Sequence, residues 1–465
     1  MFNNNQTHQK SFDQLNLAKE QILNLQQLGF KEMTQVQELA LPPALTGEDL
    51  IIQAHTGSGK TLVFALTIMQ KLKLEISDAQ ALVLCPTREL ASQVADSIRQ
   101  VARAYPSVKV SLLCGGTSVS RQVESLTHGT HIIVGTPGRI EDLINRGALA
   151  LSDVKTLVLD EADKMMDMGF YDSLSAITNA CPLKRQTLMF SATYTPEMLE
   201  RTDGFLINPH MIKAVDEQKP AIKQSFYLVE DEGRAAAMIS ILNRDLPLST
   251  IAFCNTRDDC ELLQQQLKRA GIHSEVLHGQ IDQREREDII IQFANHSLSV
   301  LVATDVAARG LDIKELDLVI NVQISPNVDT HIHRIGRTGR QGAEGHAITL
   351  VSKNELFRKK RVEEVLETEF QLIQAPPASQ QGRSPLTPPM QTITIRGGKK
   401  DKLRAGDILG SLTKNMSLTM EQVGKITIHD FVSFVAVERK IAKQLFQRWQ
   451  TEPIKGKTRK MRLLP

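Results

Sequence analysis

Short apolar segments rich in β-branched residues recur along this chain, and a longer helix-like segment follows each of them. Continuous apolar strands separated by helices are typical of a parallel sheet covered on both faces, because both faces of such strands are buried. The pattern therefore predicts a doubly wound α/β domain. Its predicted strands are Asp49–Ala54, Ala81–Cys85, Val110–Leu113, Ile132–Gly135, Thr156–Asp160 and Thr187–Phe190.

The same pattern restarts after about residue 215. The second set of predicted strands is Thr250–Cys254, Ser274–Leu277, Ser299–Ala303, Leu316–Val322 and Ala347–Val351. Two tandem doubly wound domains are therefore predicted, at 1–212 and 213–372, with a connection around Asn208–Lys219. Domains of about 100–200 residues leave room in the 465-residue chain for a further unit.

A Pro-, Gln- and Ser-rich segment at 373–390 separates this further unit from the rest of the chain. Such a composition cannot build a core and predicts an extended linker. Residues 391–465 then read strand, helix, strand, strand, helix, strand, the order of an RRM-like α+β domain. The predicted elements are Gln391–Arg396, Ala405–Leu412, Lys425–His429, Phe431–Val437, Arg439–Gln450 and Lys457–Leu464.

Charge is distributed unevenly along the chain. Residues 391–465 contain 16 basic and 6 acidic residues, a net of +10, so the remainder carries −8 of the overall +2. A basic unit on an acidic body indicates a polyanionic partner, although a merely solvated surface is the alternative. The sequence shows no apolar run of about 20 residues and no signal peptide, which predicts a cytoplasmic protein without a membrane segment. No obligate protein partner is indicated.

The five cysteines are scattered and form no C-x-x-C pair, so neither a zinc site nor a disulfide framework is predicted. Cys85, Cys114 and Cys254 lie in apolar strand-like segments, where we expect small buried hydrophobic residues.

A glycine-rich segment lies between the first predicted strand and a helix-like segment. Glycines let backbone N–H groups face phosphate oxygens at a helix N-terminus. In such a P-loop, Lys60 reaches the β- and γ-phosphates, and the Thr61 hydroxyl binds Mg²⁺. A plain glycine-rich turn is the alternative, which the strand–loop–helix context disfavours. The predicted ATP-binding residues are Ala54, His55, Thr56, Gly57, Ser58, Gly59, Lys60 and Thr61.

Four residues, Asp160-Glu161-Ala162-Asp163, close a predicted strand about 100 residues after the P-loop. Both segments should lie at the carboxyl edge of one sheet, which suits a Mg²⁺ site. Asp160 is expected to hold the metal, and Glu161 to orient and deprotonate the attacking water. An acidic helix N-terminus is the structural alternative.

These motifs resemble those of the DEAD-box ATP-dependent RNA helicases, and the resemblance runs from about Phe12 to about Val351. Gly29-Phe30, Thr34 and Gln37 are similar to the adenine-reading Q motif, although Gln35 replaces the usual proline. The resemblance implies two RecA-like domains that use ATP and Mg²⁺ and unwind short RNA duplexes. It also implies that Gln37 reads the adenine edge while Phe12 stacks on the ring.

The resemblance further implies RNA-contacting loops in the first domain. Loops of this kind hold phosphates through backbone N–H groups and arginines, without sequence readout. Ser191-Ala192-Thr193 matches the motif that couples hydrolysis to strand separation, with a helix N-cap as the alternative. The implied RNA-contacting residues are Pro86, Thr87, Arg88, Gly115, Gly116, Thr136, Pro137, Gly138 and Arg139.

The second domain carries matches to three further family motifs. In the segment 303–313, Asp312 is the implied ribose contact, while Thr304 and Asp305 face RNA or bridge the domains. Upstream, the implied RNA-backbone contacts are Gly279, Gln283 and Arg286.

The third motif, His333–Arg340, has arginines at every third position, which predicts that Arg334, Arg337 and Arg340 share one helical face. Hydrolysis of the γ-phosphate builds negative charge, so Arg337 and Arg340 are expected to act as arginine fingers on closure of the two domains. A basic solvated helix is the alternative. His331 stands where the family usually has tyrosine, and we expect this change to affect packing more than chemistry.

The C-terminal unit matches the RNA-binding signature of RRM domains poorly. Aligned to Asp430–Val437, only Phe434 and Val435 fit, so the aromatic pair that stacks bases in most RRMs is missing. Its segments GGKK, LRAGDILGSL, VGKI and IKGKTRKMRLL resemble the DbpA subgroup of DEAD-box helicases. That resemblance implies a bacterial factor for ribosome assembly that binds a hairpin of 23S rRNA. The expected RNA contacts of this unit are Lys399, Lys400, Lys455, Lys457, Arg459 and Lys460.

Three other functions remain open from the sequence. A cold-shock or mRNA-decay helicase with a similar tail would share the chemistry and differ in its RNA. A non-enzymatic ATP-dependent RNA clamp would have no use for Glu161. A DNA helicase is disfavoured by the adenine-reading motif that contains Gln37 and by the sequence Asp-Glu-Ala-Asp of the acidic motif.

Overall fold

The computed structural model describes residues 10–55, 57–214, 222–308, 316–339, 344–376 and 386–465. The chain forms two compact units, Met1–Lys219 and Pro220–Pro465. The predicted site residues Thr56, Asp312 and Arg340 lie outside the described residues.

A parallel sheet of seven strands, counted over the described residues, forms the centre of the first unit in the order β3-β4-β2-β5-β6-β1-β7. Most of its strands are buried on both faces, as their continuous apolar sequences require. Because all strands run the same way, the residues that follow them meet at one edge of the sheet. The strands are β1 Leu50–Ala54, β2 Ala81–Leu84, β3 Val110–Leu113, β4 Ile132–Gly135, β5 Thr156–Leu159, β6 Gln186–Ser191 and β7 His210–Ala214.

Helices cover both faces of this sheet, with separate apolar clusters on the two sides. Several begin at sequence-encoded caps: the Thr87 hydroxyl accepts from Leu90 N at 3.3 Å, and Pro137 occupies the first turn after Thr136. The helices are α1 Lys19–Gln27, α2 Gln35–Thr46, α3 Lys60–Lys71, α4 Arg88–Val101, α5 Val119–Thr127, α6 Pro137–Asn145, α7 Ala162–Asp167, α8 Tyr171–Ala180 and α9 Pro196–Thr202.

A second parallel sheet, also of seven strands within the described ranges, lies in the second unit in the order β10-β11-β9-β12-β13-β8-β14. Its strands are β8 Ile222–Leu228, β9 Thr250–Cys254, β10 Ser274–Leu277, β11 Val300–Thr304, β12 Leu318–Asn321, β13 Gly345–Val351 and β14 Leu372–Gln374. Its helices are α10 Arg234–Asp245, α11 Arg257–Arg269, α12 Gln283–Ala294, α13 Asp305–Ala308, α14 Val328–Ile335 and α15 Leu356–Leu366. The expected fold of two doubly wound domains is confirmed.

The C-terminal residues form a small antiparallel sheet of order β16-β17-β15-β18, with two helices on one face. Renumbered within this domain, the order is 2-3-1-4, and the predicted succession of elements is confirmed. The core includes Trp449, whose indole N–H donates to Ser411 Oγ at 2.9 Å. The elements are β15 Met390–Arg396, α16 Ala405–Gly410, β16 Val423–Ile428, β17 Val432–Glu438, α17 Arg439–Trp449 and β18 Met461–Leu463.

This C-terminal domain packs against the neighbouring α/β domain of the same unit. The hydroxyl of Thr392 lies 2.8 Å from Ser297 Oγ and accepts from Asn295 Nδ2 at 3.2 Å. Arg439 donates to the Ser297 carbonyl at 3.0 Å, and Arg462 forms an ion pair with Asp288. Thr392 is fully buried, so these contacts bury the sheet surface around it.

Two predictions about connections are wrong in part. The expected connection at Asn208–Lys219 contains β7, an edge strand whose alternating exposed residues do not form an apolar run. In the Pro-rich segment, residues 377–385 lie outside the described part, but Leu386 packs into the core of the second α/β domain. Pro388 O accepts from Arg439 Nε at 2.9 Å. The described end of this segment is therefore packed rather than extended into solvent.

All five cysteines lie within the described ranges, where each is free and buried, as expected for Cys85, Cys114 and Cys254. Burial raises the pKa of the Cys114 thiol to about 11, although the charge of Arg88 opposes the shift. Each helix in the described part of the chain is too short or too polar to cross a bilayer.

Candidate functional site

The P-loop follows β1 and leads into α3, as predicted. Gly57 and Gly59 have φ values of 88° and 93°, a left-handed conformation that glycine adopts without strain. The Lys60 ammonium donates to the Ala54 carbonyl at 3.0 Å and is buried. Ser58 Oγ closes the same turn by donating to His55 O at 2.8 Å. The lysine therefore spans the loop in which a phosphate would sit.

The predicted adenine-reading residues are bonded to this loop. Gln37 Nε2 donates to Gly59 O at 3.0 Å, while Gln37 Oε1 accepts from Thr34 N at 2.9 Å. Thr34 Oγ1 donates to Ser58 O at 2.7 Å. Phe12 is buried beside a cavity of about 320 Å³, which Phe30 and Lys31 also line. Thr34 and Gln37 are therefore hydrogen-bonded to the P-loop, whereas the cavity beside Phe12 is lined by neither of them.

Asp160 and Glu161 follow β5 at the carboxyl edge of the sheet. Burial raises the pKa of Asp160 to about 6, while the charge of Lys60 opposes the shift. Asp160 Oδ1 is buried and has no hydrogen-bond partner among the described residues. A buried carboxylate oxygen close to the charge of a P-loop lysine suits a hard cation with oxygen ligands such as Mg²⁺. The structure contains no cluster of three or more His, Cys, Asp or Glu side chains within the described ranges that could hold a metal by itself.

Glu161 occupies the N-cap position of α7 with a left-handed φ of 54°. Lys164 Nζ lies 2.7 Å from Glu161 Oε1 in a buried ion pair. A non-glycine residue with positive φ is uncommon and is found where the surrounding structure fixes it, often at active sites. Sequence reasoning missed Lys164, whose only signal was a basic residue immediately after the DEAD tetrapeptide.

Asp163 connects the acidic motif to the segment after β6. One carboxylate oxygen of Asp163 accepts from Ala192 N, Thr193 N and Thr193 Oγ1, each at 3.2 Å. Ser191 is the last residue of β6, and the cap of α9 is Thr195, so the helix N-cap interpretation of Ser191-Ala192-Thr193 is wrong. One side chain of the acidic motif therefore holds the 191–193 segment by three hydrogen bonds.

The three predicted RNA loops of the first unit lie together at the carboxyl ends of β2, β3 and β4. Gly116, with a φ of 71°, lies under the Arg88 guanidinium so closely that a Cβ atom there would be 2.0 Å from a guanidinium nitrogen. Arg139 donates to Thr117 O at 3.2 Å. Thr136, Pro137 and Gly138 form the start of α6, and Pro86 and Thr87 precede α4. Gly115 completes the group.

Arg334 lies at the centre of a buried network in the second unit. Its guanidinium binds both carboxylate oxygens of Asp305 at 2.6 and 2.8 Å and donates to Asn255 Oδ1 at 2.8 Å. It also lies over the Phe253 ring, 5.3 Å from the centroid. The solvated-helix alternative is therefore wrong for Arg334, which links the motif of Asp305 to α14.

The predicted common helical face is wrong for Arg334 and Arg337, while Arg340 lies outside the described residues. Helix α14 ends at Ile335, and Arg337 lies in the turn after it, where its side chain is buried. Gly336 ends the helix, so the spacing of three residues does not continue as a helix. In this turn Arg337 N donates to Arg334 O at 3.2 Å.

The other predicted contacts of the second unit lie around α12 and α13. Arg286, on α12, donates to Ala307 O at 2.7 Å and so joins the two helices. Gln283 begins α12, and Gly279 lies in the preceding loop. Thr304 ends β11, next to Asp305.

The predicted RNA-contacting residues of the C-terminal domain differ in whether their side chains already bind other groups of the protein. Lys455 is engaged with the Lys402 carbonyl at 2.6 Å and with Asp407 at 3.2 Å. Arg459 donates to Arg396 O at 3.3 Å. Five predicted RNA contacts are exposed, and among them Lys455 alone makes the two contacts just described: Lys399, Lys400, Lys455, Lys457 and Lys460.

Models of three protein families match this chain in succession. Residues 34–202 match the DEAD/DEAH box helicase domain, 233–342 the helicase conserved C-terminal domain, and 392–463 the DbpA RNA binding domain. The ATP-dependent RNA helicase DbpA of Escherichia coli is 42% identical over 98% of this chain and 99% of its own length. The chain belongs to the DbpA-type DEAD-box RNA helicases.

Two further comparisons agree with this family. DbpA of Bacillus subtilis is 34% identical over 94% of this chain and 96% of its own length. The structure of a leucine-to-valine variant of Saccharomyces cerevisiae Dbp5 bound to RNA and ADP–BeF3 superposes with a TM-score of 0.72 at 29% identity, covering 79% of this chain and 96% of that one. As a member of this family, the helicase is an ATP-dependent enzyme with an RNA-binding tail, which disfavours the non-enzymatic clamp.

Proposed function

We propose that this DEAD-box helicase opens short RNA duplexes near a site in 23S rRNA, to which its C-terminal domain directs it during bacterial ribosome assembly in the cytoplasm. The observation that carries the proposal is the tail domain. It matches the DbpA RNA binding domain, and it presents Lys399, Lys400, Lys457 and Lys460 on its surface. A net charge of +10 in residues 391–465 suits a phosphate backbone.

The ATP half of the reaction is assigned to the first unit. Lys60 would leave the Ala54 carbonyl to hold the β- and γ-phosphates, and Gln37 would exchange Gly59 for the adenine edge. Glu161 would orient and deprotonate the attacking water. Asp160 and Thr61 would hold Mg²⁺, which neutralises phosphate charge when bound. The buried, unpartnered Asp160 Oδ1 supports this assignment within the described part of the chain.

In the two α/β domains, RNA is bound through its sugar–phosphate backbone. The loops around Arg88, Gly116 and Arg139 offer guanidinium and backbone N–H groups, which carry little sequence information. Gly279, Gln283, Arg286 and Thr304 would make the corresponding contacts in the second unit. Arg337 and Arg340 would add positive charge at the γ-phosphate, while Asp312 would contact the ribose.

Measuring ATP hydrolysis by the full chain with RNAs of equal length tests the proposed target. Fragments that tile 23S rRNA are compared with fragments of 16S rRNA, an unrelated mRNA and single-stranded DNA. At least one 23S fragment should reach half-maximal stimulation at a concentration ten or more times lower than the other nucleic acids. Equal stimulation by all RNAs would contradict 23S targeting while leaving the helicase activity intact.

Two double variants of the C-terminal domain test which of its surfaces provides the preference for 23S rRNA. Lys399→Ala/Lys400→Ala removes two charges from the proposed RNA surface, whereas Lys440→Ala/Lys443→Ala removes two exposed charges from α17. Only the first pair should raise the concentration of 23S fragment needed for stimulation. An equal effect of both pairs would indicate attraction by net charge without a defined surface.

A further inference from the structure

The sheet face through which RRM-type domains stack bases is occupied in this molecule. Thr392, Thr394 and Phe434 share that face, since Thr394 is directly opposite Phe434 in the β15–β17 register. Thr392 is buried against Ser297 and Asn295, and Arg462, opposite Thr394, pairs with Asp288. Phe434 itself is 2% exposed. A base therefore cannot stack on Phe434 while these contacts persist.

Only one aromatic side chain of the C-terminal domain is exposed, and the structure describes all of residues 386–465. Phe434 and Trp449 are buried and Phe446 is half-buried, whereas Phe431 is 66% exposed. Phe431 lies in the turn between β16 and β17, which is closed by His429 N donating to Val432 O at 2.9 Å. A large apolar ring is thus displayed at the tip of a tight turn.

The turn is fixed to the glycine–lysine loop 397–400. Gly397 N donates to Phe431 O at 2.9 Å, Lys399 N to His429 O at 2.8 Å, and Lys400 N to Asp430 O at 3.0 Å. A Cβ atom at Gly398 would lie 2.0 Å from His429 O, so the close approach of the two loops requires glycine there. The backbones of Phe431 and of two exposed lysines are therefore held side by side.

The surroundings of Phe431 are predominantly basic. Arg459 donates to Arg396 O at 3.3 Å, and Arg396 N donates to Lys460 O at 2.8 Å, which brings the end of the 455–460 segment to the same loop. Two acidic residues lie nearby. Asp401 is 3.9 Å from Arg459 and accepts from Gly398 N at 3.0 Å, while Asp430 is exposed. Exposed Lys399, Lys400 and Lys460 leave the surface net positive.

We propose that Phe431 is a stacking platform for one unpaired base of the RNA hairpin that the C-terminal domain binds, with Lys399, Lys400 and Lys460 contacting the flanking phosphates. An aromatic face beside phosphate-binding lysines is the combination that single-stranded RNA requires, because every base has a π-face and every nucleotide a phosphate. An apolar protein surface would gain from the ring but not from the lysines. This inference rests on the proposed function and names a residue that contacts a base of the RNA.

Binding of the full-length protein to a labelled 23S rRNA hairpin tests the inference. The hairpin is the tightest-binding one from the tiled fragments. Phe431→Ala should weaken binding about 5-fold to 100-fold, the loss expected for one base–aromatic stack. Phe431→Trp should bind within about threefold of the wild type, since it retains a larger π-face. Met420→Ala is the control, because Met420 is 65% exposed in the same domain and precedes β16 rather than following it.

An abasic scan of the hairpin loop separates stacking from a structural effect. Removing the base that stacks on Phe431 should weaken binding by the wild type. Removing the same base should leave the affinity of Phe431→Ala unchanged. The slope of affinity against salt concentration should be unchanged in Phe431→Ala and smaller by about one in Lys399→Ala. Binding by Phe431→Ala within twofold of the wild type, or equal abasic losses in both proteins, would overturn the inference.

Failure of the proposed target is a distinct outcome. If the wild type prefers no 23S hairpin, the 23S assignment falls, and the same variants are measured on the tightest-binding hairpin of unrelated sequence. Loss of binding by Phe431→Ala there, with its abasic signature, still supports stacking. Unchanged binding there overturns it.

Discussion

Lys164 Nζ lies 2.7 Å from Glu161 Oε1, and each side chain is only 5% exposed. The two residues are three positions apart at the start of α7, where Glu161 adopts a left-handed backbone conformation. A buried charge is costly unless it is paired, so this ion pair helps to fix the direction of the carboxylate. The residue proposed to activate water is therefore also part of the local structure, and a test of its role must separate the two contributions.

Glu161→Gln should abolish ATP turnover while preserving the binding of ATP and RNA. The amide keeps the shape of the side chain but cannot accept a proton from water. Turnover is measured as RNA-stimulated phosphate release, and binding by titration with a fluorescent ATP analogue and a labelled RNA. Turnover close to that of the wild type would remove Glu161 from the mechanism.

A double variant controls for the lost ion pair. Glu161→Gln replaces a charge-assisted contact with Lys164, which should lower stability by about 1.5–3 kcal/mol. Adding Lys164→Met removes the buried ammonium as well and should recover part of that stability. Turnover should remain absent in the double variant, because the base is still missing. Recovery of both stability and turnover would show that Glu161 acts only through structure.

Arg337→Ala should reduce hydrolysis by about 10³–10⁵, the contribution of arginine fingers in other nucleotide hydrolases. ATP binding should change little, because the predicted P-loop and Gln37 contacts lie in the first unit. The melting temperature should fall, because the side chain of Arg337 is buried. Hydrolysis and thermal unfolding are measured on the same full-length preparation. A loss of less than about tenfold would assign Arg337 a structural role.

Arg334→Ala is the matched control for that prediction. Removing this guanidinium leaves the Asp305 carboxylate without a bidentate partner, which should cost about 3–5 kcal/mol. Arg334→Ala should therefore lose activity in proportion to its loss of stability, whereas Arg337→Ala should lose far more hydrolysis than its fall in melting temperature explains. The same relation between activity and stability in both variants would mean that both arginines act through structure.

The buried imidazole of His331 should make the free energy of unfolding depend on pH. Burial lowers its pKa to about 4 from an ordinary value near 6.5, and the charge of Arg334 acts in the same direction. The ring is fully buried and stacks on Phe226, with centroids 6.1 Å apart. Since the unfolded chain binds the proton more readily, stability is lost as the pH falls from about 6.5 towards 4. These values give a loss of about 2 kcal/mol between pH 7 and pH 5.

His331→Phe should remove that loss, because phenylalanine stacks in the same place and does not titrate. Pulse proteolysis in urea at pH 7 and pH 5, with fragments of the second α/β domain identified by mass, measures the difference for each protein. The urea midpoint of the wild type should fall more between the two pH values than that of the variant. Parallel changes in both proteins would show that His331 does not titrate in this window.

The parallel strands could be predicted from sequence because burial on both faces leaves a continuous apolar run. Strand β7 has no such run and resembles a connection in sequence, since an edge strand such as His210–Ala214 needs to bury only some of its residues. Strand β8, with Lys223, Gln224 and Ser225 in its first half, carries no apolar run either. The packing of the C-terminal domain could not be predicted, because Thr392, Ser297 and Asn295 are ordinary polar residues until they face one another.

The residues of the site could be predicted where they belong to a sequence motif, but their side-chain contacts could not. Lys60, Glu161 and the three RNA loops of the first unit lie at one sheet edge, as parallel strands require. The Lys164–Glu161 pair and the Arg334 network depend on backbone directions that spacing does not specify. The supposed helical face of Arg334 and Arg337 fails for the same reason, since α14 ends at Ile335, before Arg337.

Deleting Gln391–Pro465 should spare ATP hydrolysis and remove the preference for 23S rRNA. The contacts that the deletion breaks are largely polar, so Ser297 and Asn295 can be solvated, and Leu386 remains within the second α/β domain. The truncated protein loses a net charge of +10, and with it the steep salt dependence of RNA binding. Stimulation by generic RNA should then require higher concentrations, because the remaining loops contact only the backbone.

The same deletion tests whether the C-terminal domain acts from a fixed position on the neighbouring domain or as a flexibly attached RNA-binding unit. Because Thr392 and Arg439 bind the neighbouring domain directly, RNA on the tail should be presented at a defined place rather than anywhere within reach of a chain. Adding the separate tail back in trans should therefore restore little stimulation, even at concentrations that saturate the rRNA. Thr392→Arg in the full chain should blunt stimulation while leaving rRNA affinity unchanged, since it obstructs docking and not RNA. If the 23S preference survives the deletion, RNA choice lies in the two α/β domains, and the role proposed for the tail is wrong.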